Sequence, residues 1–327
     1  MSPKDSCSIT LATGYHARAR PLWEGLVDTG KLNLKIIPMQ NDGERHRRFR
    51  EGEFDAAELS LALYLAVKSR GDSVVALPIF PNRRFRHAFI YIREDSAIRK
   101  PQDLKGKTIG IPSYVNTCGL WVRGILKDEY GVAPQDVVWK ARRSEEGFDP
   151  PAGIRIEALS GKKNLCSRLL EGEVHAAVSP DAVQFRAEGV RQLFTASKEV
   201  EKNYYLRTKI FPMGHAVVIR RHLLDEHPWV AQKLFDVWNE AKRIALEDDT
   251  DPTYSNFAWI SELWEEQRAL LGPDPWPYGI ARNKAALEAL IRYAVEQGIL
   301  KERLETSSLF HPVSEGKTGK ERRTICF

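Results

Sequence analysis

Short apolar runs alternate along the chain with longer stretches whose apolar residues recur every three or four positions. Residues 108–111 form a brief β-type run after Asp103-Leu104-Lys105-Gly106-Lys107. After a loop over residues 112–117 comes a predicted helix, with Trp121, Val122, Ile125 and Leu126 on one face and Gly131 placed to end it. The run through Ala57 and Leu59 ends at Ser60, and a similar run through Ala177 ends at Ser179. Helical periodicity returns over residues 228–247, 254–271 and 283–297, with Asp274-Pro275-Trp276-Pro277-Tyr278-Gly279 as a rigid turn between the last two. Strands alternating with helices predict an α/β architecture, a largely parallel sheet covered on both faces.

The pattern also repeats. Glu51-Gly52-Glu53-Phe54-Asp55-Ala56-Ala57 recurs as Glu171-Gly172-Glu173-Val174-His175-Ala176-Ala177, each copy running from a helix end into a strand. Ile79-Phe80-Pro81, followed by His87-Ala88-Phe89-Ile90-Tyr91-Ile92-Arg93, recurs as Ile210-Phe211-Pro212, followed by His215-Ala216-Val217-Val218-Ile219-Arg220. Two echoes in the same order predict two lobes of similar build. The runs after the two Phe-Pro pairs are then crossover strands. Residues 1–90 give the first part of lobe one, 91–212 lobe two, 213–312 the return to lobe one and the C-terminal helices, and 313–327 a disordered tail. Ligands of α/β proteins sit at strand ends and between domains, which puts His87 and His215 at the border of an inter-lobe cleft.

Composition narrows the partner. The 327 residues suit about two domains. With 49 basic and 44 acidic residues the net charge is +5, too mild for a nucleic-acid binder and compatible with a small anionic ligand. Cys7, Cys118, Cys166 and Cys326 have no metal-like spacing and read as reduced thiols, which favours the cytoplasm. The first seven residues show no secretory apolar core, and no stretch has the length of a membrane span. The expected partner is thus a small anionic molecule, not nucleic acid or membrane. The tryptophan-bearing helices leave room for a homo-oligomer.

Several motifs, taken in order, carry a resemblance. They are Gly52-Glu53-Phe54-Asp55 with Glu58-Leu59-Ser60, Ser69-Arg70-Gly71-Asp72, Phe80-Pro81 with Phe85-Arg86-His87 and Ile90-Tyr91-Ile92-Arg93, and Asp103-Leu104-Lys105-Gly106-Lys107 with Gly110-Ile111-Pro112. Trp121-Val122-Arg123-Gly124-Ile125, His215 with Val218-Ile219-Arg220-Arg221, His227-Pro228-Trp229 and Trp276-Pro277-Tyr278-Gly279 continue the series. Over residues 8–312 the chain resembles the 4,5-dihydroxyphthalate decarboxylases. The resemblance implies the two-lobed fold of the type II periplasmic binding proteins, with the ligand cleft between the lobes. It also implies that the small anionic partner is aromatic, the substrate of a carboxy-lyase that removes one carboxylate from a dihydroxylated phthalate to leave a protocatechuate-like product. Arg20 takes the place of the family's N-terminal arginine, whereas His16 stands where the family has an acid.

Loss of CO2 from an aromatic acid needs a proton delivered to the ring carbon, a base for a phenolic hydroxyl, and a carboxylate clamp. Histidine suits the first task because it titrates near neutrality, and His87 and His215 are the leading proton donors, with His16 a third candidate. Structural histidines bonded to backbone carbonyls are the plain alternative. Glu58 lies in an apolar strand, where a carboxylate is costly unless partnered, and could take a phenolic proton or bind hydroxyls. A salt bridge to a nearby arginine explains it equally well. If Phe85 begins a strand, Arg84 and Arg86 share one face, and Arg86, then Arg84, are the carboxylate forks, leaving Arg83 solvated. Ser60, Asn116 and Thr117 add donors near a helix start, where Thr117 is also the expected N-cap. No cofactor is expected. A divalent metal held by His87, His215 and Glu58 is the variant that chemistry allows. The competing reading is a solute-binding protein on the same fold with no chemistry.

Overall fold

The structure, a computed structural model, describes residues 6–71, 73–143, 148–253 and 255–316. Asp72, Tyr254, Cys326 and most of the expected tail therefore lie outside the described residues. Its strands are β1 (Cys7–Gly14), β2 (Leu32–Met39), β3 (Ala56–Ser60), β4 (Val74–Leu77), β5 (Ile90–Arg93), β6 (Thr108–Ser113), β7 (Val138–Arg143), β8 (Arg155–Ala158), β9 (Ala176–Val178), β10 (Val190–Gln192) and β11 (His215–Arg220). They form two sheets, ordered β2-β1-β3-β11-β4 and β10-β5-β9-β6-β7-β8.

The two sheets share one plan, and the sequence echoes explain it. The first echo feeds β3 and β9, each parallel to a neighbour in its own sheet, β1 or β6 respectively. The second feeds β11 and β5, each antiparallel to β3 or β9 respectively. Each repeated segment is thus hydrogen-bonded to the partner echo within its own sheet. Every residue of β3 is buried, as expected where helices cover both faces.

Helix ends follow local chemistry. Asn41 caps the helix Asp42–Arg50 by accepting from Glu44 N at 3.0 Å, with Asp42 and Glu44 in the first turn and three arginines in the last. The helix Thr117–Tyr130 ends, as its sequence predicts, on Gly131 in the left-handed conformation. Its cap is Asn116, which accepts from Gly119 N at 2.7 Å, and not Thr117. Gly124 on this helix meets the Tyr293 ring so closely that a Cβ there would sit 2.3 Å from it. The helix Trp229–Thr250 is longer than its periodicity predicts, while the next begins only at Ile260. Ser255 Oγ accepts from Phe257 N at 3.1 Å, a local turn that competes with helix initiation.

Residues 80–89 depart most from expectation. The strand begins at Ile90, after a 3-10 turn over His87–Phe89, so strand alternation does not sort the arginines. Arg83 is not solvated but 4% exposed, donating to the Phe211 and Pro277 carbonyls and to Asn283. Of the expected tail, residues 313–316 are described and pack on the fold, with Val313 against the core and the Glu315 carboxylate accepting from the Ile280 and Ala281 amides.

Candidate active site

Glu58 organises the site. It is completely buried near the end of β3, and both its oxygens are engaged. Oε2 accepts from Gly14 N at 2.8 Å and meets His16 Nε2 at 2.9 Å. Oε1 meets His215 Nδ1 at 2.8 Å. The register explains the second histidine: His215 lies opposite Ser60 and Val217 opposite Glu58, so Glu58 and His215 are diagonal neighbours on one face. The first comes from the turn after β1, where Gly14 admits the contact because it lacks a side chain. A Cβ there would lie 2.9 Å from His16 Cδ2 and 3.0 Å from Glu58 Oε2.

Burial opposes ionisation of Glu58, but His16, His215 and Arg45 overcome it and hold the carboxyl well below its ordinary range. Glu58 is therefore an anion that orients two imidazoles, and its oxygens are occupied rather than open to a phenol.

Two residues that no sequence pattern singles out complete the cluster. Asp42 Oδ2 lies 3.7 Å from His215 Nε2, and the His46 ring stands edge-on to His215 at 5.7 Å. His46 Nε2 accepts from Ser60 N at 3.2 Å. Burial, then His215 and Arg45, push its pKa down to about 3, which keeps the ring neutral. The fully buried Arg45 donates to the Glu58 and Met39 carbonyls and to Asp42. The helix that carries His46 reads Asp-Gly-Glu-Arg-His-Arg-Arg-Phe-Arg, charged nearly all round, which is the pattern of a solvated face.

The cluster abuts lobe two through two hydroxyls. Ser60 Oγ and Thr117 Oγ1 are 2.7 Å apart, and Thr117 Oγ1 also accepts from Ala62 N at 3.0 Å. Thr117 thus joins the end of β3 to the helix of the other lobe. Asn116 serves as the cap of that helix, so its side-chain oxygen is already used. Arg86 is buried beside Cys118, with Nε unpartnered among the described residues.

The remaining candidates are placed elsewhere. His87 is 1% exposed, ringed edge-on by Tyr130, Phe194 and Tyr204, with Nδ1 4.0 Å from Glu201. Burial, then Arg207, lowers its pKa to about 4. No described contact joins it to Glu58. The matched crossover positions are not equivalent, since His215 begins its strand and His87 sits in the turn before its own. Arg84 donates to the Pro180 carbonyl at 3.0 Å. Arg20 pairs with Glu24 at 2.9 Å and with Asp248 on the surface. The described residues contain no group of three metal-ligating side chains arranged to hold an ion, and His87, His215 and Glu58 do not come together as one.

Known proteins share this arrangement of sheets. The family of periplasmic phosphonate substrate-binding proteins of ABC transporters matches residues 10–233. The aliphatic sulphonate binding protein SsuA of Escherichia coli superposes with a TM-score of 0.57 at 14% identity, over 98% of this chain and 97% of its own. A 4,5-dihydroxyphthalate decarboxylase of Comamonas testosteroni is 31% identical over 94% of this chain and 97% of its own. That of Pseudomonas putida is 35% identical over 56% of this chain and 74% of its own. With such identity sustained from end to end on this fold, the chain belongs to the 4,5-dihydroxyphthalate decarboxylase family.

Proposed function

We propose that the protein is a cytoplasmic carboxy-lyase that converts a 4,5-dihydroxyphthalate-like dicarboxylate into a 3,4-dihydroxybenzoate-like product and CO2. The observation that carries the mechanism is the pair of imidazoles on the two oxygens of one buried carboxylate. In this mechanism one imidazole enters the reaction as the imidazolium and the other as the neutral ring, so the shared carboxylate holds an acid and a base together.

The neutral ring takes the proton of the hydroxyl para to the departing carboxylate, and the phenolic electrons flow to the ring carbon bearing that carboxylate. The imidazolium protonates this carbon. The carbon–carboxylate bond then breaks, CO2 leaves, and the bonding pair returns to the ring and restores aromaticity. The phenolic proton returns from the first histidine, and solvent reprotonates the second. We assign the donor role to His215 and the base role to His16. Glu58 is a positioning residue, and Arg86 adds positive charge on the side of lobe two.

The test is CO2 release from 4,5-dihydroxyphthalate by the purified protein, with His16→Ala and His215→Ala alongside. Turnover in the wild type that falls by about 100-fold or more in each variant supports the reading. Tight binding without CO2 from any hydroxylated phthalate would favour a solute-binding protein instead.

A further inference from the structure

Arg18 reaches the same corner of lobe one from the turn that carries His16. Its Nε donates to the Pro81 carbonyl at 2.6 Å, and its guanidinium lies over the Trp276 ring, 4.6 Å from the centroid. Its charged and polar neighbours of opposite sense are Tyr278, Glu58 and Asp249. Among the described residues no carboxylate lies within ion-pair distance, and both Nη groups are without a hydrogen-bond partner.

Other buried polar atoms on the surrounding segments are in the same condition. Tyr278 Oη and Trp276 Nε1 have no partner among the described residues, nor do Thr13 Oγ1 and His16 Nδ1 on the segment leading to Arg18. Tyr278 is 3% exposed, and burial raises its pKa, so it remains a hydroxyl donor. Native structures satisfy nearly all buried polar groups, so several orphans beside one uncommitted guanidinium point to a missing ligand. Arg20, two residues on, is already committed to Glu24 and Asp248.

We infer that Arg18, with Tyr278 Oη and Trp276 Nε1, forms the subsite for the carboxylate that the substrate keeps. The inference rests on the decarboxylase reading and specifies its ligand as a vicinal aromatic dicarboxylate. A guanidinium matches a carboxylate with two parallel donors. Holding the departing carboxylate this way would stabilise the charge that must disappear as CO2 forms, and so oppose the reaction. Holding its neighbour anchors the ring without that cost and leaves the other carboxylate free to leave.

Calorimetric titration with 3,4-dihydroxybenzoate and with catechol tests this, because the two differ only in the retained carboxylate. Arg18→Gln should weaken 3,4-dihydroxybenzoate by about 10- to 100-fold and change catechol by less than about threefold. Tyr278→Phe should show a smaller loss with the same selectivity. In turnover, Arg18→Gln should raise KM more than it lowers kcat. Arg18→Lys keeps the stem and charge but loses the fork, and should show the same selective loss at an unchanged Tm, so a misfolded Gln variant does not end the test. Equal weakening of both ligands, no weakening, or a selective loss found in Arg20→Ala instead would overturn the assignment. Turnover without the Arg18 effect sinks this inference alone. An Arg18 effect without CO2 from any hydroxylated phthalate sinks the activity and leaves an aromatic-carboxylate subsite.

Discussion

His215 and His87 open matching segments of the two lobes and have opposite surroundings. His215 shares a buried carboxylate with His16 and keeps its Nε2 near Asp42. His87 is enclosed by three aromatic rings, with Glu201 at the limit of ion-pair distance, and burial drives its pKa to about 4. One environment sets a carboxylate against the ring, whereas burial in the other disfavours the charged form. Residue type and chain position thus nominate a catalytic acid, but only a correctly placed counter-charge makes one.

The most damaging way to break this contrast is to remove the counter-charge. Glu58→Gln should lower kcat by about 1,000-fold, as measured by CO2 release, because the two imidazoles then no longer share a buried anion. Retention of more than a tenth of the activity would mean that the histidines do not work as a pair. A smaller change moves the partners without deleting them. Gly14→Ala places a methyl group against both His16 and Glu58, and kcat should fall by about 10-fold while Tm changes little. An unaffected kcat would show that the His16–Glu58 contact is dispensable.

The mildest change belongs to the other lobe. His87→Phe should leave kcat within about threefold, since Phe fits among aromatic rings and no proton is delivered there. Its signature is in stability. The folded His87 has a pKa of about 4, below the unfolded value of about 6.5, so unfolding takes up a proton as pH falls between them. The wild type should therefore lose stability from pH 6.5 toward 4, by up to about 3 kcal/mol from this residue. His87→Phe should flatten that slope in denaturant titrations at several pH values. An unchanged slope would mean that the buried ring is protonated after all.

What the sequence made legible follows from the same physics. Glu58 stood out because a carboxylate among apolar strand residues demands partners, and the echo marked His215 at a crossover strand, which the structure sets beside β3. His16 was visible only as one oddity in a turn. Asp42 and His46 were hidden because they share a short helix with five other charged residues, which reads as a solvated face. Arg18 was hidden for a different reason. Its partners Trp276 and Pro81 lie 258 and 63 positions away, and no local pattern encodes such a meeting. Conversely, Arg83 looked solvated in a basic run, whereas it fastens that run to the Phe211 and Pro277 carbonyls.

The late return of one strand to the first sheet also sets an order of assembly. All six strands of the second sheet come from one continuous piece of chain, residues 90–192, and can pair as soon as that piece emerges from the ribosome. The first sheet cannot close until β11 arrives, long after β3 has been made, so the inner edge of β3 stays open in the meantime. His215 is the first residue of that late strand. The strand that seals the sheet also brings Glu58 its second imidazole, so a nascent chain acquires the acid–base pair only as its first lobe closes.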